Sequence, residues 1–144
     1  MTYKIYLDDL RVPSDSIKHS TIPQLYVNNN EWVIVRNYDE FVNTITSRQE
    51  AGQWPMFISY DHDLGIEHTK FFWDNGGFRN PPNPNDANFT EKTGLDCAKW
   101  LCEYVMNNKL PLPGFAVHSA NPVGRKNIQM YLENFNKHYG QMGK

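Results

Sequence analysis

Three short stretches hold residues able to do chemistry together: Asp8-Asp9, Asp61-His62-Asp63 and His118-Ser119-Ala120-Asn121. Each follows a run of strand-forming residues: Tyr3–Leu7, the segment from Met56 through Ile58, and Phe115–Val117. Burying a carboxylate costs several kcal/mol unless something compensates. Two unit charges about 4 Å apart, at an effective dielectric near 20, repel by roughly 4 kcal/mol. Carboxylates gathered at one place therefore take up a proton or bind a cation. Oxygen ligands favour a hard divalent ion, Mg²⁺ or Mn²⁺. The candidate ligands are Asp8, Asp9, Asp61 and Asp63; Asp63 has the alternative of orienting a histidine or capping the turn at Gly65. His62 and His118 with one Asp keep zinc open as the softer, second choice.

The third stretch also suits an anion. A helix opening at Pro122, with Asn121 as N-cap, aims free backbone N–H groups from Val123 onward at the strand ends. Arg125 lies in that first turn, where a cation opposes the helix dipole. Phosphate binding is one reason for its presence; an exposed arginine paired with a nearby Asp is the other. Ser119, Asn121, Arg125 and Arg11 are the candidate substrate-binding residues, although the capping role alone accounts for Asn121. His118, His62 and Asp61 are the candidate catalytic residues, since a histidine of near-neutral pKa serves as general acid or base. Strand alternation turns His62 away from Asp61 and ranks it below His118. His19, His68 and His138 lack such surroundings and are expected at the surface.

Strands must carry these ends. Glu31–Arg36 is a further β-branched run, and the Ser14–Asn30 connection before it is irregular, with a short helix near its start. A helix opens at Asn37, with Glu40 in capping-box spacing and Tyr38, Phe41, Val42 and Ile45 on one face. Gly52 and Pro55 bound that helix. Thr93 and Asp96 cap another, with Leu95, Ala98, Leu101, Cys102, Val105 and Met106 as its apolar stripe. Ile128, Tyr131, Leu132 and Phe135 mark the last helix, which Gly140 closes. Residues 66–92 carry Phe71-Phe72-Trp73, two adjacent glycines and several prolines, and are expected as a long loop inserted in one domain spanning 1–144. The three aromatics dock as satellite packing or offer a nucleobase-stacking surface.

Strands alternating with helices imply α/β architecture with a mostly parallel sheet of about four strands. In such sheets the strand ends face one edge, where ligands bind. With 40% hydrophobic and 21% charged residues, the chain of 144 is composed like a soluble globular domain. A net charge of −2 argues against an extended nucleic-acid interface and leaves a single nucleotide or an RNA end as partner. Cys97 and Cys102, five apart on a helix, point in different directions and are expected as buried free thiols in a reducing cytoplasm. No stretch approaches the ~20 apolar residues of a membrane span, and no signal peptide is evident.

Asp8-Asp9 after the first strand, Asp61 after the third and Ser119 after the fourth resemble the layout of receiver domains in two-component signalling. A receiver continues to a fifth strand bearing a lysine, for which Arg125 is the nearest substitute here. Tyr-Leu-Asp-Asp-Leu-Arg, Ser-Tyr-Asp-His-Asp-Leu-Gly, Thr-Gly-Leu-Asp and His-Ser-Ala-Asn-Pro-Val-Gly-Arg together resemble the cyclic-phosphate processing receiver-like family, from residue 3 to about residue 135. The resemblance implies a receiver/flavodoxin-like three-layer fold and hydrolysis of cyclic-phosphate nucleotides or RNA ends, in a family often found in bacteria and phages. The expected function is a metal-dependent phosphodiesterase. A non-catalytic module that senses or sequesters a phosphorylated nucleotide is the alternative, and a true receiver phosphorylated on Asp61 the third reading.

Overall fold

The computed structural model describes residues 2–19, 23–27, 32–87 and 89–142. Four parallel strands, β1 (Thr2–Leu7), β2 (Trp32–Val35), β3 (Trp54–Tyr60) and β4 (Gly114–Val117), lie in the order β2-β1-β3-β4. Four helices flank them: α1 (Tyr38–Glu50), α2 (Ile66–Asp74), α3 (Gly94–Asn108) and α4 (Pro122–Met142). The architecture is the expected receiver/flavodoxin-like α/β fold. Among the described residues there is no fifth strand.

Period-two alternation divides the sheet between two cores. Tyr3, Ile5, Leu7, Ile58 and Tyr60 pack with Phe41 and Ile45 of α1, Leu101 and Val105 of α3, and Ile128 and Leu132 of α4. Tyr6 and Trp32 face the other way and pack with Tyr26, Ile17, Ile34 and Phe57. That second face has no α-helix from the β1–β2 crossover, which runs through two 3₁₀ turns, Pro13–His19 and Pro23–Tyr26. The lack of an apolar stripe at helical spacing keeps this connection short of an α-helix. The expected Asn28–Asn30 run and the start of the second strand at Glu31 lie outside the described residues.

Helix N-caps follow the sequence, whereas α4 runs past the expected close at Gly140 to Met142. Asn37 Oδ1 accepts the Glu40 N–H at 2.9 Å, and Thr93 and Asp96 form a reciprocal capping box. Pro55, expected to bound the preceding helix, stands inside β3, which opens at Trp54 ahead of the expected Met56. It pairs with Tyr3 just before a register shift, where its missing N–H breaks little of the ladder.

The expected loop over 66–92 is corrected at its start, where α2 covers nine residues. Two and a half turns leave almost no periodicity to read, and the buried face is made by Phe72 and by His68. His68 is 1% exposed, not at the surface. Its Nδ1 accepts the Leu64 N–H at 2.9 Å and its Nε2 donates to the Glu91 carbonyl at 3.0 Å, so it ties the two ends of the 66–92 segment together. His138 is exposed as expected, while the side chain of His19 lies outside the described residues.

Candidate functional site

The ladder between the central strands extends one hydrogen bond past the strands themselves. Leu7 pairs with Tyr60 and Tyr60 with Val117. One residue further, the Asp8 N–H donates to Val35 O (3.1 Å), the Asp61 N–H to Leu7 O (2.9 Å) and the His118 N–H to Tyr60 O (2.9 Å). Asp8, Asp61 and His118 therefore form one more row of the sheet. Leu7 and Tyr60 pack into the helix-covered core, so alternation sends these three side chains to the opposite face.

There, one ligand atom from each of Asp8, Asp61 and His118 lies within 4.8 Å of the other two. Asp8 is fully committed. Its Oδ1 accepts the backbone N–H groups of Leu10 (2.9 Å) and Arg11 (2.8 Å). Its Oδ2 accepts from Arg11 Nε (2.8 Å) and His118 Nε2 (3.0 Å). Burial alone would raise the Asp8 pKa, but the hydrogen bonds from His118, Arg11 and Leu10 outweigh it and hold the carboxyl well below the usual range. Asp61 goes the other way. Burial, then the Asp8 charge, push it up to about 8, against the pull of Arg11 and a hydrogen bond from Ser119. One carboxylate is kept charged and its neighbour is kept protonated near neutrality. The Arg11 guanidinium bridges both, with Nη2 at 3.6 Å from Asp61 Oδ1.

His118 sits at the end of a hydroxyl relay. Its Nδ1 is 2.7 Å from Ser59 Oγ, which is 2.8 Å from the Tyr26 hydroxyl. Tyr6 stacks on the imidazole at 4.2 Å between centroids. Burial lowers the His118 pKa, and the contact with Asp8 only partly restores it. The neutral ring can take either tautomer. With Nε2–H donating to Asp8, Ser59 donates to Nδ1. With the proton on Nδ1, the relay reverses toward Tyr26 and frees the Nε2 lone pair. A ligating histidine needs an oxygen partner on its other nitrogen, which Ser59 supplies. Two carboxylates and one imidazole thus make a donor set that fits a divalent ion.

A family model for the cyclic-phosphate processing receiver domain matches residues 3–134 of the 144. The chain belongs to this family. No curated protein and no solved structure gave a significant match.

Not every sequence-predicted residue of this receiver domain enters the cluster. Asp9 is half-buried beside it, its pKa raised by burial and by the Asp8 charge, but it is not among the grouped ligand atoms. Asp63 accepts from His62 Nδ1 at 2.7 Å and from Asn121 Nδ2 at 3.3 Å, so it orients a histidine rather than joining the ligand group. His62, expected among the catalytic residues, points to the other side and is 1% exposed. Its ring packs against Gly124 of α4, where a Cβ would come within 2.5 Å of the ring. Asn121 caps α4, accepting the Gly124 N–H at 3.1 Å, and turns its amide nitrogen toward Asp63. The reason is common to all four. Alternation past the strand end places Asp61 and His118 on one side and His62 on the other, and neighbouring turns absorb the rest.

The Thr-Gly-Leu-Asp motif, read from the sequence as a helix cap, also positions Asp61. Gly94 donates to His62 O at 2.8 Å, and a Cβ there would fall 1.8 Å from the Asp61 carbonyl oxygen. Backbone on both sides leaves no room to relax. Gly94→Ala is expected to destabilise the protein by ~1–3 kcal/mol in urea unfolding, as overpacking does, with a conservative Leu95→Met change costing less.

Through His118 the cluster borders a cleft of about 650 Å³ on the helix-poor face, lined among others by Arg11, Tyr26, Phe78, His118, Ser119 and Arg125. This is within the size range of small-molecule sites. Arg125 is exposed on the wall of the cleft and has no ion pair among the described residues. The exposed-arginine alternative with an acidic partner is therefore not what the fold adopts. Among the described residues no helix is long and apolar enough to cross a membrane, and both cysteines are buried free thiols.

Proposed function

We propose that this receiver domain hydrolyses a cyclic phosphate, on a nucleotide or an RNA end, with a divalent ion held by Asp8, Asp61 and His118. The observation that carries this reading is the grouping of those three ligands, of which His118 lines a cleft with two arginines on its wall. In the reaction a water oxygen attacks phosphorus, one ribose oxygen leaves and takes up a proton, and the ring opens to a phosphomonoester. A bound divalent ion would polarise a phosphate oxygen or lower the pKa of water. The imidazole nitrogen favours Mn²⁺ over Mg²⁺, with zinc as the softer alternative. The chain's own residues do the remaining work. Arg11 and Arg125 are placed to meet the developing phosphate charge. Ser119 supplies a hydroxyl, already hydrogen-bonded to Asp61. Ser59 and Tyr26 hold or pass the His118 proton. Asp9 lies beside the cluster without joining it.

The test is a panel of 2′,3′-cyclic and 3′,5′-cyclic nucleotides and cyclic-phosphate RNA ends with Mg²⁺, Mn²⁺ or Zn²⁺. Turnover should need the ion and fall by roughly 10²–10⁴ in His118→Ala. No turnover of any member with any ion would sink the enzyme reading.

One observation favours the binding-module alternative: both nitrogens of His118 are engaged and His62 is buried, so neither histidine offers a free general base to the cleft. Tight calorimetric binding with intact ligand recovered afterwards would decide for it.

A further inference from the structure

Phe78 is 58% exposed although it belongs to an aromatic cluster, and it forms part of the cleft wall. Leaving a phenyl ring in water forfeits much of the ~1.5–3 kcal/mol its burial would provide, so the exposure calls for a use. The ring is not loosely placed. Phe72 and Trp73 hold it edge-on, at 5.1 and 5.2 Å between centroids. The turn that presents it uses Gly76 at φ 126° and Gly77 at φ 57°, backbone that L side chains rarely adopt. A Cβ on Gly76 would meet the Asn80 carbonyl at 2.1 Å, and one on Gly77 the Trp73 ring at 2.8 Å. Further along, Asn127 of α4 donates to Asn83 at 3.3 Å and pins the segment to the helix that carries Arg125.

We infer that the 66–92 segment builds a nucleobase subsite, in which the base of the substrate stacks on Phe78 while its phosphate meets Arg11 and Arg125. The inference rests on the phosphate reading above and adds the base to it. Charge complementarity selects the occupant. A ligand that satisfies two arginines and an aromatic face in one cleft is anionic at one end and π-bearing at the other, which describes a nucleotide. Stacking tolerates any base, so the subsite should prefer nucleosides over base-free analogues more than one base over another.

The experiment compares adenosine 2′,3′-cyclic phosphate with glycerol 1,2-cyclic phosphate, which keeps the phosphate ring and lacks the base. Affinity and KM are measured for wild type, Phe78→Ala and Phe78→Trp. Wild type should hold the nucleoside ligand at least tenfold more tightly. Phe78→Ala should remove that advantage and leave the glycerol ligand unchanged, and Phe78→Trp should keep it. Equal affinity of wild type for both ligands, or a Phe78→Ala loss shared by both, overturns the subsite while the phosphate reading stands. If neither cyclic phosphate binds, the phosphate reading falls, and adenosine alone is the deciding probe: binding lost in Phe78→Ala upholds the subsite, and no binding overturns it.

Discussion

Asp61→Asn is expected to abolish turnover and, in the ion-free protein, to raise stability near pH 8. The two effects have one cause. Asp61 is buried beside the charged Asp8, and its pKa stands near 8 rather than at the ordinary carboxyl value. Between those two values the native state holds a proton that the unfolded chain has released. Stability therefore falls as pH rises through that window. His118 works in the opposite sense below its unfolded pKa near 6.5. Its folded pKa is lowered by burial, so there the unfolded chain binds the extra proton and stability rises with pH. Asp8, with its lowered pKa, contributes stability that is lost only as pH falls below the ordinary carboxyl range. From about pH 6.5 to 8 the His118 and Asp8 contributions are constant and the Asp61 slope remains, with Asp9, also raised, acting in the same sense. A one-unit shift corresponds to ~1.4 kcal/mol, so the full penalty reaches several kcal/mol. Melting temperatures of the chelator-treated protein should fall across this interval in wild type and stay flat in Asp61→Asn. A wild-type profile as flat as that of the variant would show that Asp61 is not the strained acid. The amide keeps the hydrogen bonds but removes the ligand charge, so Mn²⁺ should stabilise wild type much more than Asp61→Asn.

Arg11→Gln is expected to tighten Mn²⁺ binding about tenfold and to weaken substrate binding. The guanidinium bridges Asp8 at 2.8 Å and Asp61 at 3.6 Å, where it is the countercharge to the two acids. A divalent ion on the same carboxylates would lie close to that charge, and such like charges repel by several kcal/mol at an effective dielectric near 20 before any movement. Arginine is long and its site opens to the cleft, so rotation relieves most of this; tenfold, ~1.4 kcal/mol, is the residue expected. Asp8 should keep its orientation in the variant, because the Leu10 and Arg11 backbone N–H groups still hold its Oδ1. Calorimetric titration of Mn²⁺ into wild type and variant measures the change directly. Weaker Mn²⁺ binding in Arg11→Gln would mean that the guanidinium builds the ion site rather than competing for it. For substrate, the same substitution removes a proposed phosphate partner, so KM should rise while the ion binds better. That opposition of signs separates a local electrostatic role from general damage.

The chain's residues by themselves determined the strand ends, the capped helices and the family. A β-branched run that stops at a carboxylate is visible without partners, and so is a capping box such as Thr93 with Asp96. The motifs that place the chain among cyclic-phosphate processing receiver domains are also short and local. Tertiary structure decided which polar residues at those ends act together. Asp8, Asp61 and His118 share a row because the ladder runs one bond beyond each strand, to partners dozens of residues away. Asp9 and Asp63 have the same chemistry but lie outside that row. His62 needed the packing of α4, and the space left by Gly124, to be placed on the other side. The helix at Ile66–Asp74 was illegible because its buried face pairs one phenylalanine with a histidine whose partners, Leu64 and Glu91, are backbone groups that flank it. Alternation and capping are properties of neighbouring residues, whereas register, burial and the countercharge from Arg11 exist only once distant segments meet.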